Sequence, residues 1–150
     1  MSKVSTIYDT MITRLAAIFP TKKRIPNPYN IGSNPQQYLD DGYGLALGTA
    51  SQVNGQWCDM TIEQTFNIVL ARKLFKNDTD PVMFDNFVKA LREDVVTLQK
   101  DFYNVNRLNI PADLDNLVLG SVSSINEISA GKFNVLSIEI PMIATIRELL

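Results

Sequence analysis

The run from Cys58 to Leu74 constrains this chain more than any other segment. Alternate residues read Cys58, Met60, Ile62, Gln64, Phe66, Ile68, Leu70, Arg72 and Leu74, while Asp59, Thr61, Glu63, Thr65 and Asn67 stand between the first of them. A period of two places one set on each face of a strand, so one face is apolar and the other polar. At about 3.3 Å per residue such a strand spans roughly 55 Å. Ordinary strands have about 5–6 residues, so the length predicts a bulge or strong bend, with one end projecting beyond the core. A strand of this kind needs partners along its edges and a layer over its apolar face, and the rest of the chain must supply both.

Two segments read as covering helices. Val4, Ile7, Met11, Ile12, Leu15, Ile18 and Phe19 recur at helical spacing, with Ser2 or Ser5 as cap and Pro20 as the stop. Phe84, Phe87, Val88, Leu91, Val95, Leu98 and Phe102 form a second stripe, begun by Thr79 or Asp80 as cap and Pro81 in the first turn. Asp85, Lys89, Arg92, Glu93 and Lys100 lie off that stripe and form a solvated face.

Three more runs read as strands. In Tyr43–Thr49, Tyr43, Leu45 and Leu47 alternate with Gly44, Ala46 and Gly48, and the small residues predict that something packs closely on their face. Asn54-Gly55 is a hairpin signal. Further runs at Leu117–Ile128 and Lys132–Arg147 flank a turn at Ser129-Ala130-Gly131, and Pro141 predicts an edge position or a bulge in the last strand. The expected fold is therefore α+β: a mainly antiparallel four-stranded sheet, both helices on one face, order α-β-β-α-β-β, with long projecting hairpins, in a single domain over 1–150.

Between the first helix and the first strand lies TKKRIPNPYNIGSNPQQYLDDGYG, rich in proline and glycine. This is long for a structureless loop, which predicts a functional or partly structured segment pinned by Ile25, Tyr29, Ile31, Tyr38 and Leu39, with a short helical turn at Pro35–Leu39. Lys22-Lys23-Arg24 is the basic cluster of the sequence; it reads either as a contact for phosphate or an acidic partner, or as a solvated loop. Tyr29, Tyr38 and Trp57 lie in or beside loops and are candidate interface anchors, with ordinary partial burial as the other reading.

The candidates for chemistry are few. The 150 residues contain no histidine and one cysteine, Cys58. That removes histidine-based triads, His-containing zinc sites and multi-thiolate zinc sites. Asp40-Asp41 and Glu93-Asp94 are adjacent pairs whose members diverge on a strand or a helix, so neither pair converges by itself on a substrate or metal. Asp113 and Asp115 converge only if extended, as a weak cation site, and otherwise serve turns and caps. GYGLALG lacks the lysine and hydroxyl residue of a phosphate loop. No cofactor or metal is expected, and no catalytic residue is assigned. A net charge of −2 argues against a general nucleic-acid binder. No apolar run nears the about 18 residues of a membrane span, and the first residues lack a signal-peptide pattern, so a soluble chain used without export is the expectation.

The segment RLAAIFPTKKRIPNPYNI followed by DGYGLALG, together with the expected element order, resembles the tail terminator (tail-completion) proteins of tailed bacteriophages. The resemblance implies a non-enzymatic virion subunit. It would form a hexameric ring that caps the tail tube, stops its polymerisation and offers its other face to the head connector. DNA would cross the lumen only transiently, no membrane would be involved, and the protein would reside in the virion tail after assembly in the host cytoplasm. Other readings are a head–tail connector or tail-tube subunit, a small-molecule or peptide-binding module using a sheet face, and a carboxylate-dependent enzyme.

Overall fold

The computed structural model describes residues 3–26, 28, 41–55, 59–75, 81–103, 114–130 and 133–149. The chain is an α+β protein with two helices and a six-stranded mixed sheet. The elements are α1 (Lys3–Ile18), β1 (Lys23–Arg24), β2 (Asp41–Gly55), β3 (Asp59–Phe75), α2 (Pro81–Phe102), β4 (Leu114–Leu119), β5 (Asn126–Ala130) and β6 (Phe133–Leu149). The sheet order is β1-β2-β3-β6-β4, with β5 also paired to β6. All pairings are antiparallel except β1 with β2.

Two strands were added to the expected four. One is β1, too short to show any period. The other arises because the alternating run Leu117–Ile128 is split into β4 and β5. Both lie along the same side of β6, β4 against Met142–Ile146 and β5 against Phe133–Ser137. Pro141 sits at the split. Its carbonyl accepts the Gly120 amide at 2.7 Å, so its nitrogen faces this same side, where it offers no proton. On the other side β6 pairs with β3 without interruption from Asp59↔Leu149 to Phe75↔Phe133. Proline therefore costs the β3–β6 ladder nothing.

The apolar face of β3 carries the core. Phe66, Ile68 and Leu70 lie beside Met142, Ile140 and Ile138, and all six are buried under Ile7, Met11, Leu15 and Phe19 of α1 and Leu91, Val95, Leu98 and Phe102 of α2. Both helical stripes thus meet one face of the sheet, as amphipathic helices must. Ser5 lies inside α1 and does not cap it; the Lys3 amide instead donates to Glu148 Oε1 at 2.8 Å, a cap supplied by β6. The helices are pinned together by Arg14, whose guanidinium grips both carboxylate oxygens of Asp101. That hydrogen bond, together with the Coulomb attraction of Asp101, outweighs desolvation and raises the Arg14 pKa above its usual value.

The bulge expected for the long strand falls on its neighbour. Register shifts occur in β2 between Leu47 and Ala50 and between Gln52 and Asn54, while β3 itself stays in step with β6. Gln64, the polar member of the apolar face, is buried at the first bulge. Its amide donates to the Thr65 carbonyl at 2.9 Å and reaches the Gly48 and Thr49 carbonyls at 3.3 and 3.4 Å. The hairpin does not stand free, because β6 accompanies β3 along its whole length. Asn54 and Gly55 belong to β2, and Ser129 and Ala130 to β5; residues 56–58 and 131–132, including Gly131 of the expected turn, lie outside the described residues.

The glycine face of β2 is occupied as its composition implied. Ile25 donates its amide to the Tyr43 carbonyl at 2.7 Å and lies over Gly42, where a Cβ would come within 2.8 Å of Ile25 Cδ1. Pro28 stands over Gly44 in the same way. Ile25 packs there with Ala71 and Val135, a small second core on the face opposite the helices. The start of the proline-rich segment is thus laid flat across the sheet.

Candidate interface surface

The basic cluster divides. Lys23 and Arg24 form β1, exposed and paired parallel to Gly42 and Tyr43. Lys22 faces inward and is 8% exposed. Its ammonium contacts Asp41 Oδ1 and lies 2.8 Å from Asp94 Oδ2, and it stands 5.4 Å from the centre of the Phe19 ring. Arg72 Nη2 lies 3.4 Å from both carboxylates, while its buried Nε has no hydrogen-bond partner. Lys22 is therefore turned into the fold, away from the exposed face of Lys23 and Arg24.

This cluster joins the turn after α1, the start of β2, the end of β3 and the middle of α2. Each acidic pair contributes one member, Asp41 from the first and Asp94 from the second. Asp40 lies outside the described residues, while Glu93 is exposed and Asp94 turns inward, and Asp41 and Asp94, members of different pairs, meet across the fold. Two cations face two carboxylates, so the charges balance within the cluster. A closed, neutral set of ion pairs clamps elements together and leaves no charge over for a ligand. Among the described residues no group of acidic or sulfur side chains is arranged to hold a metal ion. No described helix is long and apolar enough to cross a membrane.

Tyr29, Tyr38 and Trp57 lie outside the described residues, as do the helical turn at Pro35–Leu39, the Thr79 and Asp80 caps and Asp113. The interface features that the structure does describe are sheet edges. β1 covers β2 at Gly42 and Tyr43, and the Tyr8 hydroxyl donates to the Leu45 carbonyl at 3.1 Å. Beyond Leu45, no described strand pairs with the outer side of β2. Leu47 is 55% exposed there, and Thr49 to Gln52 are exposed after it. At the far side of the sheet β4 is likewise an outer strand, with Val118 40% exposed. Unpaired edges of this length are templates for another strand unless a neighbour covers them. The bulged strand with an exposed outer side is β2, not β3 with its clear alternation, which is paired on both sides.

No protein-family model matches the sequence, and comparison with curated proteins finds no match.

Proposed function

We propose that this chain is a structural subunit of a phage virion, a tail terminator that closes into a hexameric ring on the head-proximal end of the tail tube and joins it to the head connector. The observation that carries the reading is the pair of edges, on opposite sides of one sheet, that no described strand covers, β2 beyond Leu45 and β4. Edges that differ from one another join head to tail, and a head-to-tail contact that closes by rotation makes a ring. The lack of histidine and the neutralised ion cluster support an assembly role over a chemical one. Transient passage of DNA through the lumen and residence in the virion tail belong to the same proposal. A connector or tube subunit is the nearest variant and differs in whether copies stack into tubes.

The test is the mass in solution by light scattering, across concentration and salt, with and without tail tubes. A discrete ring, or a monomer that becomes one on tubes, is the expected result. Open-ended polymer identifies a tube subunit. A monomer indifferent to concentration and to tubes rejects assembly. Ala50→Pro sharpens the test. The Ala50 amide lies on the outer side of β2, so proline there spares the fold and blocks edge pairing.

A further inference from the structure

The second helix is only half covered by the sheet. Asp94 reaches Arg72 of β3, whereas Val88, two turns earlier, lies with Ile125 and Ile138 beside the interrupted edge of β6. The turns before it are more exposed: Val82 is 65% and Phe84 37% exposed, although Phe84 belongs to the apolar stripe that is buried from Leu91 onward. Between α2 and the segment joining β4 to β5 is a cleft of about 370 Å³ with Val88, Ile125 and Ile138 as its apolar floor. Lys89 and Arg92 stand on its helical rim. Both are exposed, and neither makes an ion pair with a described residue.

The opposite wall is held in shape. Ser123 donates its amide to the Glu139 carbonyl at 2.8 Å, and its hydroxyl accepts the Glu139 amide at 2.9 Å and donates to the Ser124 carbonyl at 2.8 Å. The cleft exists because Pro141 prevents a continuous strand from filling this side of β6. Ser123 thus ties this wall to Glu139 through both its backbone and its side chain.

We infer that this cleft docks an acidic peptide segment of a partner protein, one large apolar side chain entering over Val88, Ile125 and Ile138 and flanking carboxylates meeting Lys89 and Arg92. The charge pattern chooses the occupant. An apolar floor alone would accept any greasy side chain, but two cations on one rim, with no ion-pair partner among the described residues, favour a segment with acidic flanks and disfavour a basic one. The cleft adjoins β4, but its lining comes from α2, the segment joining β4 to β5 and β6, not from the β2 or β4 strands themselves, so the inference does not depend on ring formation.

The experiment uses the full chain and a short fluorescent peptide with one phenylalanine flanked by glutamates, beside a control in which glutamine replaces each glutamate. Binding is read by anisotropy at low salt and mapped by amide chemical shifts. Saturable binding of the acidic peptide below about 1 mM, with shifts confined to 84–92, 123–125 and 138, is the expected result. The double variant Lys89→Glu with Arg92→Glu, both at exposed positions, should weaken it by about tenfold or more at unchanged thermal stability. Ser124→Trp, which fills the cleft from its exposed wall, should also weaken it. No saturation by that concentration, equal binding of the glutamine control, indifference to both variants, or shifts on another face would overturn the inference. Concentration-dependent shifts at these residues without peptide would assign the cleft to a second copy of the chain and overturn it too.

Discussion

The two sides of β6 differ although they belong to one strand of one alternating pattern. Toward β3 the register runs unbroken from end to end. Toward β4 and β5 it is interrupted at Pro141, and six residues leave the ladder between Leu119 and Asn126. The side that keeps its pairing lies in the middle of the sheet beneath both helices. The side that loses it is an outer edge, and there the chain forms a cleft. A missing amide proton is tolerated where water, a side chain or a bulge can take its place, and not where the ladder is buried.

Moving the proline by one residue should break this arrangement most severely. The Ile140 amide faces β3, so Ile140→Pro removes a bond from the buried ladder and trims a core side chain. A loss of about 3 kcal/mol or more in urea unfolding is expected. A loss no larger than at exposed positions would show that the two sides are not distinct. Gly120→Ala comes next. A Cβ there would stand 2.8 Å from the Pro141 ring, and the overpacking should cost about 1–3 kcal/mol. Combining it with Pro141→Ala should recover most of that cost in a double-mutant cycle, and additive losses would exclude the Gly120–Pro141 contact as the cause.

Ser123→Ala removes the acceptor for the Glu139 amide on the interrupted side. This should cost about 1–3 kcal/mol, at the low end if water enters, with faster hydrogen exchange at Glu139 as the specific mark. Pro141→Thr should have the smallest effect, about 0.5 kcal/mol or less. Its new amide would face the gap between β4 and β5. Strong stabilisation, with β4 and β5 fusing into one strand, would show that proline alone maintains the interruption.

Much of this architecture was legible in the residues. The period of two from Cys58 onward located β3 within a residue, and the stripes of α1 and α2 placed their buried faces, because burial of one face imposes its own spacing. The small residues Gly44, Ala46 and Gly48 announced close packing, and at Gly44 Pro28 provides it. Other features were not readable. β1 has two residues and no period. The break at Gly120 was hidden, since its cause stands on a neighbouring strand. Lys22 looked like part of an exposed basic run, yet its partners Asp41 and Asp94 are distant in sequence and belong to two separate acidic pairs.

The sequence by itself determined which side chains had to leave water, and through their periods it determined the two helices and the long strands. Hydrophobic burial acts on every residue of an element at once, so its pattern is local and can be read along the chain. Only the tertiary structure decided which strand carried the bulges, which edges no described strand covers, that two charges from separate acidic pairs would close around Lys22, and that α2 and the segment joining β4 to β5 would enclose a cleft rimmed by Lys89 and Arg92. Those outcomes depend on single contacts between residues far apart in the chain, each fixed by hydrogen-bond geometry or charge at one place, and no repeating pattern announces them.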